Sequence, residues 1–245
     1  MFLPFGPYTA ALDALQAATT AWPQRPPPAW LTRLRGRAWA LIVPGSIVAV
    51  VFGIAAASAV ADGLAWLALI AVPPLAAAAL GRAWPLAAVL LAIAWAAKDT
   101  LAGDATAAAL TALSCVTLGR LLVGVAPLLL LKAGIVVMAA IDSYLILSDQ
   151  LQEPNATLIA AAPPANLPQL QYAALHGASI GYGDLFVAGL LGAIVAAEGR
   201  RQLPAAALVL VLAVAFDLLF WVLDELPATV PVAVALILLE LRRSR

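Results

Sequence analysis

The sequence predicts an all-α, polytopic integral membrane protein, a bundle of about eight transmembrane helices. Of its 245 residues, 64% are apolar and only 11% are charged, and the mean hydropathy is +1.02. These values lie outside the range of soluble globular domains. The apolar residues form runs near the length that a helix needs to cross about 30 Å of hydrocarbon. The predicted spans are residues 38–61, 63–81, 83–98, 104–119, 121–148, 178–198, 202–223 and 226–241.

The charges between these spans predict the orientation. With the N-terminus inside, the cytoplasmic segments hold eleven of the thirteen basic residues, as the positive-inside rule requires. We therefore expect a multi-pass protein of the bacterial inner (plasma) membrane with both termini cytoplasmic. The cytoplasmic bases are Arg25, Arg33, Arg35, Arg37, Arg82, Arg120, Arg200, Arg201, Arg242, Arg243 and Arg245. The acids on the opposite side are Asp62, Asp99, Asp104, Asp149, Glu153, Asp224 and Glu225.

Three regions follow from this map. Residues 1–37 are mixed in composition and predict a cytoplasmic or interfacial arm. Residues 38–119 hold the N-terminal transmembrane helices, and residues 120–245 hold a catalytic core with an exoplasmic loop at 149–177. The break within residues 104–148 falls either at Arg120 or near Pro127.

Several kinds of site are excluded or disfavoured. A single cysteine, Cys115, excludes an intramolecular disulfide and a cysteine-based metal site. A lone histidine, His176, makes a metal site of another kind improbable. The basic residues form no nucleic-acid patch, and no cofactor motif is present. Gly189 and Gly192 belong to a set of small residues whose spacing favours close helix packing in lipid.

Ionisable residues inside the membrane are functional-site hypotheses, because each charge in hydrocarbon costs several kcal/mol. Asp142 lies seven residues before Asp149, roughly 10 Å below the outer surface. Asp184 lies fourteen residues before Glu198, which leaves about 9 Å to the same surface. The two carboxylates therefore have matched depths. The ionisable residues within spans are Lys132, Asp142, Asp184 and Asp217.

The stretch "SIGYGDL" at residues 179–185 has two interpretations. It is similar to a potassium-channel filter, in which backbone carbonyls replace the hydration shell of the ion. A filter needs a complete helix of about 20 residues after it, whereas "LFVAGLLGAIVAA" has thirteen residues before Glu198. The helix must therefore include or nearly include residues 181–184, which places Asp184 in the membrane.

Two carboxylates at one depth suggest an aspartyl dyad. Desolvation and mutual repulsion make such a pair share one proton. The protonated partner can polarise a peptide carbonyl while the ionised one takes a proton from water. Asp217 has a similar depth and is a candidate accessory residue, although a packing role is favoured. Lys132 is expected to snorkel or to pair within the bundle.

Residues 127–241 resemble the presenilin and signal peptide peptidase family, the GxGD intramembrane aspartyl proteases. Three pieces stand in family order: Asp142 in "AAIDSYLIL", Asp184 in "IGYGDLFVAGLL", and the Pro-Ala pair in "LPATVPVAVAL". The resemblance implies catalysis by Asp142 and Asp184 without a cofactor. It also implies substrate contacts at Gly181, Tyr182, Gly183, Pro227, Ala228 and Thr229.

The chain departs from the family pattern in three respects. Ile141 stands where the family usually has Tyr, Pro-Ala-Thr replaces Pro-Ala-Leu, and eight predicted spans replace nine. The exoplasmic loop matches the orientation of signal peptide peptidase. The implied substrates are therefore transmembrane peptides and leader-peptide remnants within the bilayer.

Other classes remain as alternatives. Prepilin peptidases also use a GxGD aspartate, but their pattern has a Lys soon after it, where this chain has Leu185 and Phe186. A proton-coupled transporter is the main alternative outside the proteases, because intramembrane Asp and Lys residues also build proton relays.

Overall fold

The computed structural model describes residues 5–165, 167–223 and 226–243, and within these ranges the chain is nearly all-α. Asp224, Glu225 and Arg245, which the orientation argument used, lie outside the described residues. The helices are α1 (Pro7–Ala21), α2 (Ile42–Ala56), α3 (Ala59–Leu80), α4 (Pro85–Ala96), α5 (Leu101–Val125), α6 (Leu128–Leu147), α7 (Gln152–Ala160), α8 (Tyr182–Ala197), α9 (Gln202–Phe216) and α10 (Thr229–Arg243). Two strands, β1 (Tyr172–Leu175) and β2 (Ala178–Gly181), form an antiparallel hairpin.

The predicted membrane class is supported, and the predicted count of eight spans is not confirmed. In the described part of the chain, five helical segments are long and apolar enough to cross a membrane. The helices Pro85–Ala96 and Tyr182–Ala197 are apolar but shorter. The five long segments are Arg37–Ala56, Ala59–Ala83, Leu101–Val125, Leu128–Leu147 and Gln202–Trp221.

Helix α8 lies at the centre of the bundle. Every residue from Leu185 to Val195 is buried, so α8 has neighbours on all sides. Its closest neighbour is α5, and glycines permit the approach. A Cβ on Gly189 would lie 2.7 Å from the carbonyl oxygen of Cys115, and one on Gly119 would lie 2.7 Å from the carbonyl of Gly189. The two backbones are therefore in direct contact, as the expected packing role of Gly189 requires.

Helix α1 is part of the bundle, and the cytoplasmic or interfacial location expected for residues 1–37 stays a prediction. This helix packs against α8 and α9 and runs parallel to α8. Near its start, the ring of Tyr8 contacts His176 in the hairpin turn, with 5.1 Å between centroids. Near its end, Thr20 touches Gly192 of α8. Pro7 therefore lies at the hairpin end of the bundle.

The hairpin replaces the start of the predicted span 178–198. Leu175 pairs with Ala178, which leaves His176 and Gly177 as a two-residue turn. Both have positive φ, 45° and 95°, as a turn that follows the strand twist requires. Helix α8 begins at Tyr182, so the expectation that the helix includes or nearly includes residues 181–184 is confirmed.

The break between α5 and α6 lies at Pro127. Helix α5 continues through Arg120 to Val125, so a region boundary at residues 119 and 120 falls inside a helix. Pro127 has no N–H to donate and directly precedes the first turn of α6, a position that suits proline.

Charged side chains form a network at the end of the bundle opposite the hairpin. Lys132 Nζ lies 2.5 Å from Glu198 Oε1 and 2.9 Å from Glu240 Oε2. Arg243 and Arg200 contact the same glutamates. The expected pairing of Lys132 within the bundle is therefore seen. Burial pushes the pKa of Glu198 upward, but Lys132, Arg200 and Arg243 hold that pKa below its ordinary value of 4.5.

The contact between α5 and α8 predicts the effect of a single methyl group. Gly189→Ala should lower the free energy of unfolding by about 1–3 kcal/mol, because the new Cβ would meet backbone atoms that cannot yield. Gly63→Ala is the matched control in α3, since no atom lies within 4 Å of its added Cβ. Thermal unfolding in detergent measures both variants. An equal effect of the two changes would contradict the packing argument.

The network around Glu198 predicts a dependence on pH. A carboxyl whose pKa is lowered on folding contributes stability above its unfolded pKa and loses it as the pH falls through the folded value. The unfolding temperature should therefore fall when the pH drops below about 4.5. This fall should be smaller in Glu198→Gln, whose side chain does not titrate. Thermal unfolding of both proteins between pH 7 and pH 3 measures the difference.

Candidate active site

Asp142 lies near the end of α6 and is almost fully buried, with 5% of its surface exposed. Its Oδ2 accepts a hydrogen bond from Thr229 Oγ1 at 2.6 Å. Thr229 is the first residue of α10 and is itself 1% exposed. A short bond between two buried side chains fixes the orientation of the Asp142 carboxyl group.

Asp184 is the third residue of α8. Its Oδ2 accepts a hydrogen bond at 3.1 Å from the backbone N–H of Gly181, the residue that caps this helix. An acidic side chain that reaches back to the cap in this way satisfies one of the free N–H groups at a helix start. Since β2 leads directly into α8, the hairpin and the cap together fix the position of Asp184.

One cavity joins the two carboxyl groups. Asp142 and Asp184 both line an open cavity of about 950 Å³, and the charge of Asp142 acts on Asp184. The cavity wall beyond them is largely apolar. The structure therefore brings the predicted pair together. Five other predicted site residues also line the cavity, namely Gly181, Tyr182, Gly183, Ala228 and Thr229.

Pro227 and Asp217 do not line the cavity, and Tyr182 has a contact besides it. Pro227 is buried beside the cavity, and its carbonyl accepts from the N–H of Val230. The hydroxyl of Tyr182 lies 2.8 Å from Ser114 Oγ, which ties the start of α8 to α5. Asp217 does not join the pair. It begins a 3₁₀ turn after α9, is 7% exposed, and lies beside Asp13 of α1.

Gln16 of α1 is a contact of the site that the sequence alone did not indicate. It is 1% exposed, and its Nε2 donates to the carbonyl of Ala228 at 2.8 Å. The same nitrogen lies 3.5 Å from the carbonyl of Asp184. One turn later, Thr20 Oγ1 donates to the carbonyl of Ala188 at 3.1 Å. Gln16 therefore links the segment before α10 to the helix that carries Asp184.

A signal for α1 exists in the sequence. Asp13, Gln16 and Thr20 are spaced by three and four residues and so lie on one helix face. On a surface helix such a stripe faces water, whereas here it faces the bundle, where all three side chains are buried. Carbonyl groups at the irregular start of α10 and along α8 are the acceptors that make this burial favourable.

The site offers no cluster for a metal ion. Within the described ranges, no group of three or more His, Cys, Asp or Glu side chains is arranged to hold one. Besides the two carboxyl groups, the cavity is lined by apolar side chains, by the amides of Asn155 and Gln171, and by the hydroxyl groups of Ser46, Tyr172, Ser179, Tyr182 and Thr229.

No family model matches the sequence, and neither a curated protein nor a solved structure matches the chain.

Loss of the Gln16 amide should loosen the segment that holds Asp142. In Gln16→Leu, the amides of residues 226–232 should exchange with solvent about tenfold faster, since the loss of one hydrogen bond costs about 1–1.5 kcal/mol. Hydrogen exchange followed by mass spectrometry measures this segment.

The matched control is Gln202→Leu. The Nε2 of Gln202 contacts the carbonyls of Thr20, Trp22 and Gly192, at the opposite end of α1. This change removes an amide that also holds α1, but it should leave residues 226–232 protected. Equal exchange in both variants would show that Gln16 acts only through the general stability of α1.

Proposed function

We propose that this chain is an intramembrane aspartyl protease, which hydrolyses peptide bonds in transmembrane segments or leader-peptide remnants through Asp142 and Asp184. One observation carries the proposal. Two carboxyl groups from separate helices, α6 and α8, line one largely apolar cavity and interact electrostatically. Carboxyl groups in such surroundings share a proton, and this is the state that aspartyl proteolysis needs.

The reaction needs no covalent intermediate. The ionised carboxylate takes a proton from a water molecule, whose oxygen adds to the carbonyl carbon of the scissile bond. The protonated partner donates a hydrogen bond to the carbonyl oxygen as that oxygen gains negative charge. A proton then moves to the amide nitrogen, the C–N bond breaks, and a carboxylic acid and an amine leave. Because the pair titrates jointly, the acid and base roles belong to the pair.

The neighbours of the dyad suit this chemistry. Thr229 holds Asp142 in one orientation, and the cap at Gly181 holds Asp184. Gln16 acts as a positioning residue for both elements. Preorganised geometry of this kind lowers the cost of reaching the transition state. A cavity of about 950 Å³ has room for several apolar side chains of an unwound transmembrane segment.

The resemblance of residues 127–241 to the presenilin and signal peptide peptidase family agrees with this geometry. Its three pieces, which lie far apart in sequence, meet at one cavity. In the described residues, nine helices of 12 to 25 residues build the bundle, namely α1–α6 and α8–α10. Nine is also the number of spans in that family. We infer that α1 takes the place of the leading span of the family.

The orientation follows from the arginines. The positive-inside rule favours a cytoplasmic location for the end of the bundle that carries Arg120, Arg200 and Arg243. The C-terminal end of α10 then faces the cytoplasm. In this orientation Pro7 and the hairpin lie on the exoplasmic side, whereas the sequence predicts a cytoplasmic or interfacial position for residues 1–37.

The catalytic pair can be tested by two substitutions. Asp142→Asn and Asp184→Asn should each reduce cleavage of a model transmembrane peptide by at least about 10³-fold. The asparagine amide that replaces a carboxyl group cannot share a proton with the remaining carboxyl group. Asp217→Asn should have a mild effect, since Asp217 contacts Asp13 and not the cavity. Purified protein in detergent and mass spectrometry of the products measure cleavage. Cleavage that persists in either Asn variant would refute the dyad.

A second candidate function, proton-coupled transport, is favoured by the acid pair Asp13 and Asp217. Both side chains are at least 92% buried, and the Oδ2 atom of each has no hydrogen-bond partner in the described part of the chain. Buried carboxyl pairs also serve as proton relays. Proton uptake into proteoliposomes that Asp217→Asn abolishes, with no cleavage by the wild type, would favour this function over proteolysis.

A further inference from the structure

Two arginines approach each other at the end of the bundle opposite the hairpin. Arg120 lies on α5, five residues before its last residue. Arg25 belongs to the segment between α1 and the 3₁₀ turn Ala29–Leu34. This segment crosses α5, since a Cβ on Gly124 would lie 2.8 Å from Cβ of Pro27. Gly124 is one helical turn beyond Arg120, and Arg25 is two residues before Pro27. The segment therefore brings Arg25 close to Arg120.

A third element completes this neighbourhood. The guanidinium group of Arg25 lies over Gly81, in the space that a side chain at residue 81 would occupy. Gly81 begins the turn between α3 and α4 and has a φ of +62°. The linker, the α3–α4 turn and α5 therefore meet around Arg25. Arg25 is close enough to Arg120 for the two positive charges to repel each other.

These cations differ from the others at the same end. Lys132, Arg200 and Arg243 are paired with Glu198 or Glu240. Within residues 5–165, 167–223 and 226–243, none of the ion pairs involves Arg25 or Arg120. Two like charges brought together repel unless an anion lies between or beside them.

Buried polar atoms of Arg120 and of Gln24, the residue before Arg25, are also unsatisfied. Nε of Arg120 has no hydrogen-bond partner, and neither amide atom of Gln24 has one, although all three atoms are buried. Buried polar groups almost always have partners, because an unmet donor costs about 1–3 kcal/mol. The Gln24 side chain follows α1 directly and adjoins Arg25 in the chain. Arg25, Arg120 and Gln24 together offer hydrogen-bond donors and positive charge, and the described residues supply no anion to pair with them.

The surroundings of this cluster are those of a membrane interface. Three tryptophans in the same segments are exposed, with 58% of Trp30, 41% of Trp39 and 61% of Trp84 accessible. Tryptophan is enriched at the level of lipid headgroups. Basic pockets between transmembrane helices at that level bind the phosphates of anionic lipids. Guanidinium groups match phosphate oxygens in charge and geometry.

We propose that Arg25, Arg120 and the amide of Gln24 form a site for a phosphate group, supplied by the headgroup of an anionic phospholipid. The bound phosphate neutralises the two arginines and satisfies the buried donors. It also ties the linker and the α3–α4 turn to α5. This proposal does not depend on proteolytic activity.

The test measures the unfolding temperature of the full-length protein in a zwitterionic detergent with added lipid. Phosphatidylglycerol should raise the wild-type value by about 3 °C or more, whereas phosphatidylcholine should have little effect. Arg25→Gln and Arg120→Gln should each lose at least half of this shift. Arg33→Gln is the matched control, because Arg33 is an exposed arginine of the following 3₁₀ turn and carries the same charge. It should retain the full shift.

A further variant separates binding from folding. Gln24→Leu removes the unsatisfied amide, so the protein without lipid should be as stable as the wild type or more stable, while the lipid shift should decrease. Inorganic phosphate alone is the second arm. A shift equal to that of phosphatidylglycerol would support the phosphate site and refute its lipid source. No shift with either ligand, or an equal loss in Arg33→Gln, would refute the site.

Discussion

The direct contact between the backbones of α5 and α8 is the constraint on which the rest of the bundle depends. Gly119 and Gly189 leave no room for a side chain at this contact, so α8 lies directly against the backbone of α5. Helices in lipid gain little from the hydrophobic effect and associate through such close packing. Asp184 lies in the first turn of α8, so the contact between α5 and α8 also determines the position of Asp184.

Hydrogen bonds between helices around the cavity add to the packing of α5 against α8. In hydrocarbon, each backbone or side-chain donor must find a partner within the protein. Gln16, Thr20 and Thr229 meet this requirement by bonding to atoms of other helices, and each bond joins elements distant in sequence. The same bonds that satisfy buried donors thus hold the two carboxyl groups at one cavity. Stability and site geometry have a common origin here.

The sequence predicted the parts of the structure that a single local signal encodes. Apolar runs predicted the membrane class, and matched depth predicted that Asp142 and Asp184 belong together. The hairpin was missed because residues 178–181 read as the start of an apolar span, although His176 and Gly177 form a two-residue turn. The packing of α1 within the bundle was not predicted because its buried face carries Asp13, Gln16 and Thr20. This face resembles a solvated one until the acceptors on α8 and just before α10 are known. Contacts between distant elements leave no local trace in a single chain.

Helix α1 also has a consequence for the order of assembly during synthesis. Its buried polar side chains make it a poor substrate for insertion into lipid alone. Their partners on α8 and just before α10 lie more than 160 residues later and leave the ribosome long after α1 does. Helix α1 is therefore expected to take its place in the bundle only after α8 and α10 have been made, although it is translated before them.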